Sequence, residues 1–178
     1  MLEKCKNRIL EVKDFPKPGI GFKDLTPLIE DPECFRFLID EMAGWTRDRG
    51  AEMVVAIESR GFLFGGPVAY NLGIGMSLVR KKGKLPRETL CVQAPNEYAV
   101  EYFEMHRDCI PPGKKVVIID DLIATGSSSI SAIDLVRRLG GRVAGFAAVV
   151  DLAFLKGIPA IKAGHPDVDV LSLISFDD

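Results

Sequence analysis

Three short runs of consecutive apolar residues, rich in valine and isoleucine, constrain the fold of this 178-residue chain more than any other feature. Continuous apolar runs of this length are typical of strands that are buried on both faces. Helical patterns at residues 62–72 and 128–139 lie between the runs, and this alternation predicts a central parallel sheet flanked by helices. The runs occupy residues 53–57, 116–119 and 143–150, with weaker strand candidates at 76–79 and 170–174.

Other segments complete the prediction of one domain over residues 1–178. Residues 3–12 have helical spacing, whereas the prolines and glycines of residues 15–22 favour an extended loop. Asp31 and Pro32 predict the start of a further helix, because aspartate accepts from free backbone N–H groups and proline tolerates the first helical position. Residues 85–105 break the alternation and predict a hairpin or mobile loop inserted into the sheet.

Composition excludes several classes of partner. A formal net charge of −2 gives no general attraction to nucleic acid or to an anionic membrane. No apolar run approaches the roughly 18 residues of a membrane span, and the amino terminus has no apolar leader. The four cysteines are widely spaced, and Cys34 lies in an apolar helical pattern, where a thiol acts as a small hydrophobe. We therefore expect a cytoplasmic, reduced protein.

The strongest chemical signal lies at residues 116–129, where an apolar strand leads into two acids, a loop of small residues and a helix. Small residues let backbone N–H groups close around a phosphate, and a helix start adds free donors and a positive dipole end. Two acids beside a phosphate are unfavourable unless they bind something else, such as the vicinal hydroxyls of a sugar. The segment therefore predicts a ribose 5-phosphate site, with Asp120 and Asp121 on the ribose hydroxyls.

This segment resembles the phosphoribosyl diphosphate signature of the type I phosphoribosyltransferases. Further segments resemble the adenine phosphoribosyltransferases in order and spacing, so that the resemblance spans nearly the whole chain. These are Phe-Pro-Lys-Pro-Gly-Ile-Gly-Phe-Lys-Asp-Leu-Thr at residues 15–26, Glu-Ser-Arg-Gly-Phe-Leu-Phe-Gly at 58–65, Arg-Lys-Lys-Gly-Lys-Leu-Pro at 80–86, and Glu97-Tyr98.

The resemblance implies a parallel sheet with an amino-terminal hood over the base (about residues 1–30) and a flexible loop (about 85–105). It also implies a homodimer that uses Mg²⁺, held mainly by substrate oxygens and water, to convert adenine and 5-phosphoribosyl 1-diphosphate to AMP and diphosphate. Arg60, Arg80 and Lys84 would bind the diphosphate, with Arg80 reaching across the dimer interface. Glu97 would be the acid–base group, on a loop that also carries Tyr98. The remaining implied site residues are Asp120, Asp121, Ala124, Thr125, Gly126, Ser127 and Ser128 for ribose and 5-phosphate, and Ile20, Gly21, Phe22 and Lys23 for the base.

Two alternatives stay open at this point. Ser127 stands where the family usually carries glycine, at a position that varies across the wider group. Lys23 and Gly21 stand where it usually carries arginine and a bulkier apolar residue, and the loop at residues 93–101 also departs from the family pattern. These changes near the implied base site leave another purine, hypoxanthine or xanthine, as one alternative. The other is a non-catalytic sensor of a phosphoribosyl ligand. About fifty residues precede the first strand, and they hold the proline-rich loop rather than a basic helix-turn-helix, which argues against a DNA-binding regulator.

Overall fold

Strands and helices alternate along the chain as the apolar pattern predicts. The computed structural model describes residues 1–15, 17–19, 21–95 and 100–177. Its helices are α1 (Leu2–Lys6), α2 (Thr26–Glu30), α3 (Pro32–Asp48), α4 (Gly61–Leu72), α5 (Ser127–Arg138) and α6 (Gly157–Gly164), with a 3-10 turn at Ala153–Leu155. Its strands are β1 (Leu10–Val12), β2 (Phe22–Asp24), β3 (Met53–Ile57), β4 (Gly75–Lys81), β5 (Thr89–Gln93), β6 (Tyr102–His106), β7 (Lys115–Ile123), β8 (Arg142–Leu152) and β9 (Val170–Phe176).

Seven strands form the central sheet, in the order β5-β6-β4-β3-β7-β8-β9. The five strands β4, β3, β7, β8 and β9 run parallel, which confirms the predicted fold class. Strands β5 and β6 pair antiparallel with each other, and β6 pairs antiparallel with β4. The segment 85–105 therefore extends one edge of the sheet, while β1 and β2 form a separate two-stranded ribbon.

Helices cover both faces of the central sheet, and successive side chains of a strand point to opposite faces. On β3, Val54 packs with α3 and α4, whereas its neighbour Val55 packs with α5 and α6. Both valines are fully buried, as the apolar runs require. Within the described residues, every helix is too short or too polar to cross a lipid bilayer.

Helix α3 begins where Asp31 and Pro32 predict. The Asp31 carboxylate accepts from the backbone N–H groups of Glu33 and Cys34 at 3.0 and 3.1 Å. Cys34 is fully buried in the helix, and all four cysteines are free thiols. Burial, followed by a hydrogen bond with Cys34, raises the pKa of the Cys5 thiol to about 12. Both thiols therefore act as core residues.

Two predicted boundaries were wrong. Residues 3–12 do not form one helix, because α1 ends at Lys6 and Leu10–Val12 pairs with β2 instead. Strand β7 also continues past residue 119 through both acids to Ile123. Its parallel neighbour β8 supplies backbone partners as far as Asp151, and this pairing keeps the polar residues in the strand.

Candidate active site

A cleft of about 470 Å³ opens at the carboxyl ends of β3 and β7. Two neighbouring parallel strands end here, and the loops that follow them diverge to leave a space, as is usual for ligand sites in open parallel sheets. The loop after β3 carries Ser59 and Arg60, and the loop after β7 carries Ala124, Thr125 and Gly126. The sheet thus brings together two segments that lie more than sixty residues apart in the sequence.

The two acids of β7 line this cleft and are almost entirely buried, with exposures of 6% for Asp120 and 5% for Asp121. The backbone N–H of Asp121 donates to Asp120 Oδ1 at 2.8 Å. Burial, followed by the neighbouring Asp121 carboxylate, raises the pKa of the Asp120 carboxyl well above its ordinary value. A Cβ on Gly61 would lie 2.9 Å from Asp120 Oδ1, so glycine at the start of α4 lets the helix approach this acid closely.

The raised pKa of Asp120 leads to a prediction about stability. An acid whose pKa is higher in the folded protein makes a contribution to stability that is lost as the pH rises from about 4 through the folded pKa. Asp120→Asn removes this titration and retains an oxygen acceptor for the Asp121 N–H. We expect the free energy of unfolding of the variant, relative to that of the parent, to increase as the pH rises from about 4 through the folded pKa of Asp120.

Urea denaturation at several pH values measures this difference. Asp48→Asn is the control, because the Asp48 side chain is 71% exposed. A difference that stays constant or shrinks with rising pH would contradict the assignment of a raised pKa to Asp120.

Arg60 links the loop after β3 to strand β7 and to β2 of the ribbon. Its Nε lies 2.7 Å from Asp121 Oδ2, in the geometry of an ion pair rather than that of an aligned hydrogen bond. Its guanidinium also lies over the ring of Phe22, 5.0 Å from the ring centroid. The side chain is 35% exposed, so a cation stands at the mouth of the cleft beside the acids.

The loop after β7 has the geometry expected of a phosphate cradle. Gly126 adopts a φ of +84°, a left-handed conformation that favours glycine, and helix α5 begins at the next residue. A Cβ on Gly126 would lie 2.8 Å from the carbonyl oxygen of Gly157, the first residue of α6. The loop therefore turns tightly against α6, and the free N–H groups of α5 begin at the cleft.

The Ser127 side chain has partners in two directions. Its Oγ donates to the carbonyl oxygen of Pro95 at 2.8 Å and lies 3.0 Å from Thr125 Oγ1. The backbone carbonyl of Ser127 accepts from Ser131 Oγ at 2.9 Å within α5. A serine thus fits where relatives usually have glycine, because its hydroxyl points to the chain that follows β5 and its N–H remains part of the loop.

The ribbon of β1 and β2 presents only one of its faces to the cleft. Phe22 lines the cleft and meets Phe15 edge to face at a centroid distance of 5.1 Å. Lys23 points to the opposite face, where its Nζ lies 3.2 Å from Glu11 Oε2 and 4.6 Å from the centroid of the Phe176 ring. A Cβ on Gly21 would lie 3.3 Å from Glu11 Oε1, on the same face as Lys23.

The alternation of side chains between the two faces of β2 bears on two of the departures from the family pattern, Gly21 and Lys23. The side chains at positions 21 and 23 lie on the face of the ribbon away from the Phe22 ring, so a ligand beside that ring meets only the backbone there. A different residue at either position consequently changes the packing of the ribbon against Glu11 and Phe176 rather than the wall of the cleft.

The other predicted cations lie beside the cleft. Arg80 Nε donates to Glu58 Oε2 at 3.0 Å, and Arg80 Nη1 donates to the carbonyl oxygen of Lys84 at 3.1 Å. The same Glu58 oxygen accepts from the backbone N–H of Lys81 at 2.9 Å. Glu58 itself lines the cleft, whereas Arg80 and Lys84 are absent from the lining formed by the described residues.

The structure therefore brings most of the predicted site together. Of the predicted residues, the cleft lining contains Phe22, Arg60, Asp120, Asp121, Ala124, Thr125, Gly126, Ser127 and Ser128. Ile20, Glu97 and Tyr98 fall outside the described residues. Sequence reasoning missed Glu58, Ser59, Lys81, Glu101 and Phe103 as lining residues.

Two of the missed residues form an ion pair, with Lys81 Nζ 2.7 Å from Glu101 Oε1. Lys81 belongs to the basic run at residues 80–84, which could have identified it from the sequence, whereas Glu101 lies in no recognisable motif.

Among the described residues there is no group of three or more histidine, cysteine, aspartate or glutamate side chains able to bind a metal ion.

Comparison with known proteins agrees with this geometry. The family model for the phosphoribosyl transferase domain matches residues 29–176. The adenine phosphoribosyltransferase of Thermoanaerobacter pseudethanolicus is 43% identical, with a TM-score of 0.93 and coverage of 99% of this chain and 100% of that chain. The enzyme of Rhodothermus marinus is also 43% identical, with a TM-score of 0.92 and 98% of each chain covered.

A third solved structure carries ligands. The adenine phosphoribosyltransferase of Saccharomyces cerevisiae, complexed with adenine and an imino-altritol bisphosphate, is 35% identical over 97% of each chain, with a TM-score of 0.87. The match to the domain model covers most of the chain, and the likeness to these enzymes extends over nearly its full length. The chain belongs to the phosphoribosyltransferase family and, within it, to the adenine phosphoribosyltransferases.

Proposed function

We propose that this protein transfers the 5-phosphoribosyl group of 5-phosphoribosyl 1-diphosphate to adenine, which gives AMP and diphosphate. The observation that carries the proposal is the single cleft in which a phosphate-type loop, a buried acid pair and Arg60 meet. These three features match the 5-phosphate, the ribose hydroxyls and the diphosphate of one substrate. The adenine complex of the yeast relative supports the choice of base.

The loop at residues 124–128 would hold the 5-phosphate through backbone N–H groups and the hydroxyls of Thr125, Ser127 and Ser128. Asp120 and Asp121 would accept from the two ribose hydroxyls. Their burial supports this role, because buried carboxylates need partners and the diol supplies two donors. This places the ribose between the phosphate loop and Arg60.

Bond breaking at the ribose C1 atom leaves negative charge on the departing diphosphate. Arg60, Arg80 and Lys84 would stabilise that charge, and arginine suits this role because its planar fork pairs with two phosphate oxygens. Arg60 is already at the mouth of the cleft, whereas Arg80 and Lys84 stand on the adjacent strand and turn. The pairing of Arg80 with Glu58 holds the Arg80 guanidinium beside the cleft.

The base would stack near Phe22 and contact the backbone of residues 20–23. A ribosyl bond to adenine requires loss of a proton from the base, and Glu97 would accept it, on the connection from β5 to β6 that also carries Tyr98. The ribbon and the loop would cover the site and exclude water, which otherwise hydrolyses the activated sugar. In this arrangement residues 1–178 form one domain, with about residues 1–30 contributing the hood.

The residues of the cleft also fit a requirement for Mg²⁺. The buried Asp120 and Asp121 are oxygen donors of the type that this hard cation prefers, and they stand where a ribose diphosphate would present further oxygens. We propose that substrate oxygens and water hold the ion mainly, with these carboxylates close by. When bound, Mg²⁺ supplies charge neutralisation for the diphosphate.

We also propose that the protein is a homodimer. Helix α4 exposes Leu63 at 46% and Tyr70 at 90%, and large apolar side chains grouped on a surface are typical of protein contacts. Sedimentation equilibrium measures the oligomeric state directly. A monomer at micromolar concentration would contradict this part of the proposal.

A steady-state assay with 5-phosphoribosyl 1-diphosphate and a panel of purines tests the function. We expect turnover with adenine and much slower turnover with hypoxanthine and xanthine, because an oxopurine presents an acceptor where adenine presents an amine. Faster turnover with an oxopurine would establish the alternative purine. Binding of the diphosphate substrate without turnover of any purine would establish a sensor.

Replacing both acids by asparagine should weaken AMP binding without unfolding the protein. Each lost hydrogen bond to a charged group is worth about 1.5–3 kcal/mol, so we expect AMP affinity to fall by at least about tenfold. Calorimetric titration of Asp120→Asn/Asp121→Asn with AMP measures this, with circular dichroism as the folding control. Parent-like affinity in a folded double variant would remove the diol from the proposal.

A further inference from the structure

Glu104 on β6 is a buried carboxylate that the reaction proposed above does not use. The residue is 4% exposed and is surrounded by four donors. Its Oε1 accepts from the backbone N–H groups of Gly83, Lys84 and Leu85 at 2.9, 3.1 and 3.1 Å. Its Oε2 accepts from Thr89 Oγ1 at 3.0 Å. A buried side chain of the sheet thus binds the turn between β4 and β5.

That turn, residues 82–85, is here called the cationic turn. Gly83 adopts a φ of +85°, which lets three successive N–H groups converge on one oxygen. Gly83 and Lys84 are both exposed, so little apolar packing holds the turn in place. The Lys82 N–H also donates to the Tyr102 carbonyl oxygen at 3.0 Å, at the start of the turn. The Glu104 carboxylate accepts the next three N–H groups, and such charge-assisted hydrogen bonds are the stronger kind.

Hydrogen bonds connect the cationic turn to the cleft. The carbonyl oxygen of Lys84 accepts from Arg80 Nη1 at 3.1 Å, and Arg80 Nε donates in turn to Glu58, which lines the cleft. Displacement of the turn would move the Lys84 ammonium and remove one of the two contacts that orient Arg80. Both are proposed diphosphate-binding residues.

We propose that Glu104 is a positioning residue, which holds the cationic turn so that Lys84 is pre-organised for the diphosphate. This inference rests on the proposed function, because it assumes that Lys84 meets the diphosphate. Holding a cation in place before the substrate arrives removes the cost of ordering a long side chain and its turn during binding. The role also explains why an acid is buried at this position of β6.

Glu104→Gln tests the inference. The amide keeps the size of the side chain, but it loses the negative charge and one acceptor, so the turn should loosen. We expect the KM for 5-phosphoribosyl 1-diphosphate to rise by about tenfold, as small misplacements of binding groups commonly cause. The KM for adenine and the affinity for AMP should match those of the parent, because neither ligand carries a diphosphate.

Thr89→Val is a milder second variant, since it removes only the donor to Oε2 and leaves the three bonds of the turn. It should raise the same KM by less than Glu104→Gln does, and it keeps the inference testable if Glu104→Gln fails to fold. Equal changes in the KM values of both substrates, or no change with either variant, would overturn the inference.

A double-mutant cycle with Lys84→Ala separates the inference from the proposed function. If Glu104 acts by holding Lys84, Glu104→Gln should have much less effect on the KM once Lys84 is already alanine. A full effect in that background would overturn the positioning role. Lys84→Ala alone tests the underlying assignment: an unchanged KM would contradict both the diphosphate role of Lys84 and the inference. A raised KM in Lys84→Ala beside a parent-like Glu104→Gln would overturn the inference alone.

Discussion

Arg60→Ala is expected to lower kcat/KM for 5-phosphoribosyl 1-diphosphate by about 10²–10³-fold, the loss typical when one positioned charge-stabilising group is removed. The affinity for AMP should fall much less, because AMP lacks the leaving group. Forward-reaction kinetics and calorimetric titration with AMP give the two quantities. Equal losses in both would indicate a general structural role for Arg60.

Two further variants make the Arg60 result specific. Arg60→Lys keeps the positive charge beside Asp121 but loses the planar fork, so its activity should lie between those of the parent and the alanine variant. Arg87→Ala removes an arginine from an exposed pair, with Arg87 Nη1 2.7 Å from Asp108 Oδ2, and should leave the kinetics unchanged. Thermal unfolding of Arg60→Ala, compared with that of Arg60→Lys and Arg87→Ala, reports the cost of leaving the buried Asp121 unpaired.

Glu97→Gln is expected to lower the rate of the chemical step by about 10²–10⁴-fold, the usual contribution of a general acid–base group. Glutamine keeps the size and hydrogen-bonding capacity of glutamate but cannot accept the proton of the base. Substrate affinities should change little. Single-turnover mixing is the appropriate measurement, because product release can limit steady-state turnover in an enzyme with a closing loop.

Glu101→Gln is the matched control for Glu97. Glu101 lines the cleft and its carboxylate is paired with Lys81 at 2.7 Å, so it is less available as a base. Glu104 is still less available, because its two oxygens accept from four donors of the cationic turn and Thr89. A parent-like single-turnover rate in Glu97→Gln, with a reduced rate in Glu101→Gln, would transfer the acid–base role to Glu101.

Local sequence rules correctly predicted several of the strands and helices that carry the cleft. The strand at Met53–Ile57 and the start of α3 at Pro32 follow from a buried apolar run and from a capping aspartate, which act within a few residues. The rules failed at residues 3–12, where Leu10–Val12 forms a strand only because Phe22–Asp24 lies beside it. Pairing between distant segments overrides a weak helical pattern.

Local sequence patterns were enough to predict the small-residue loop at residues 124–128, the acid pair of β7 and the parallel sheet that carries them, because glycine, small polar residues and apolar runs act through local geometry. Three contacts could be seen only once the chain was folded: Arg60 pairs with Asp121, Lys23 faces away from the Phe22 ring, and Glu104 accepts from the turn that carries Lys84. These contacts join residues from different elements. Their geometry depends on the order of strands in the sheet and on the direction in which each side chain leaves its strand. The spacing of residues along the sequence specifies neither of these.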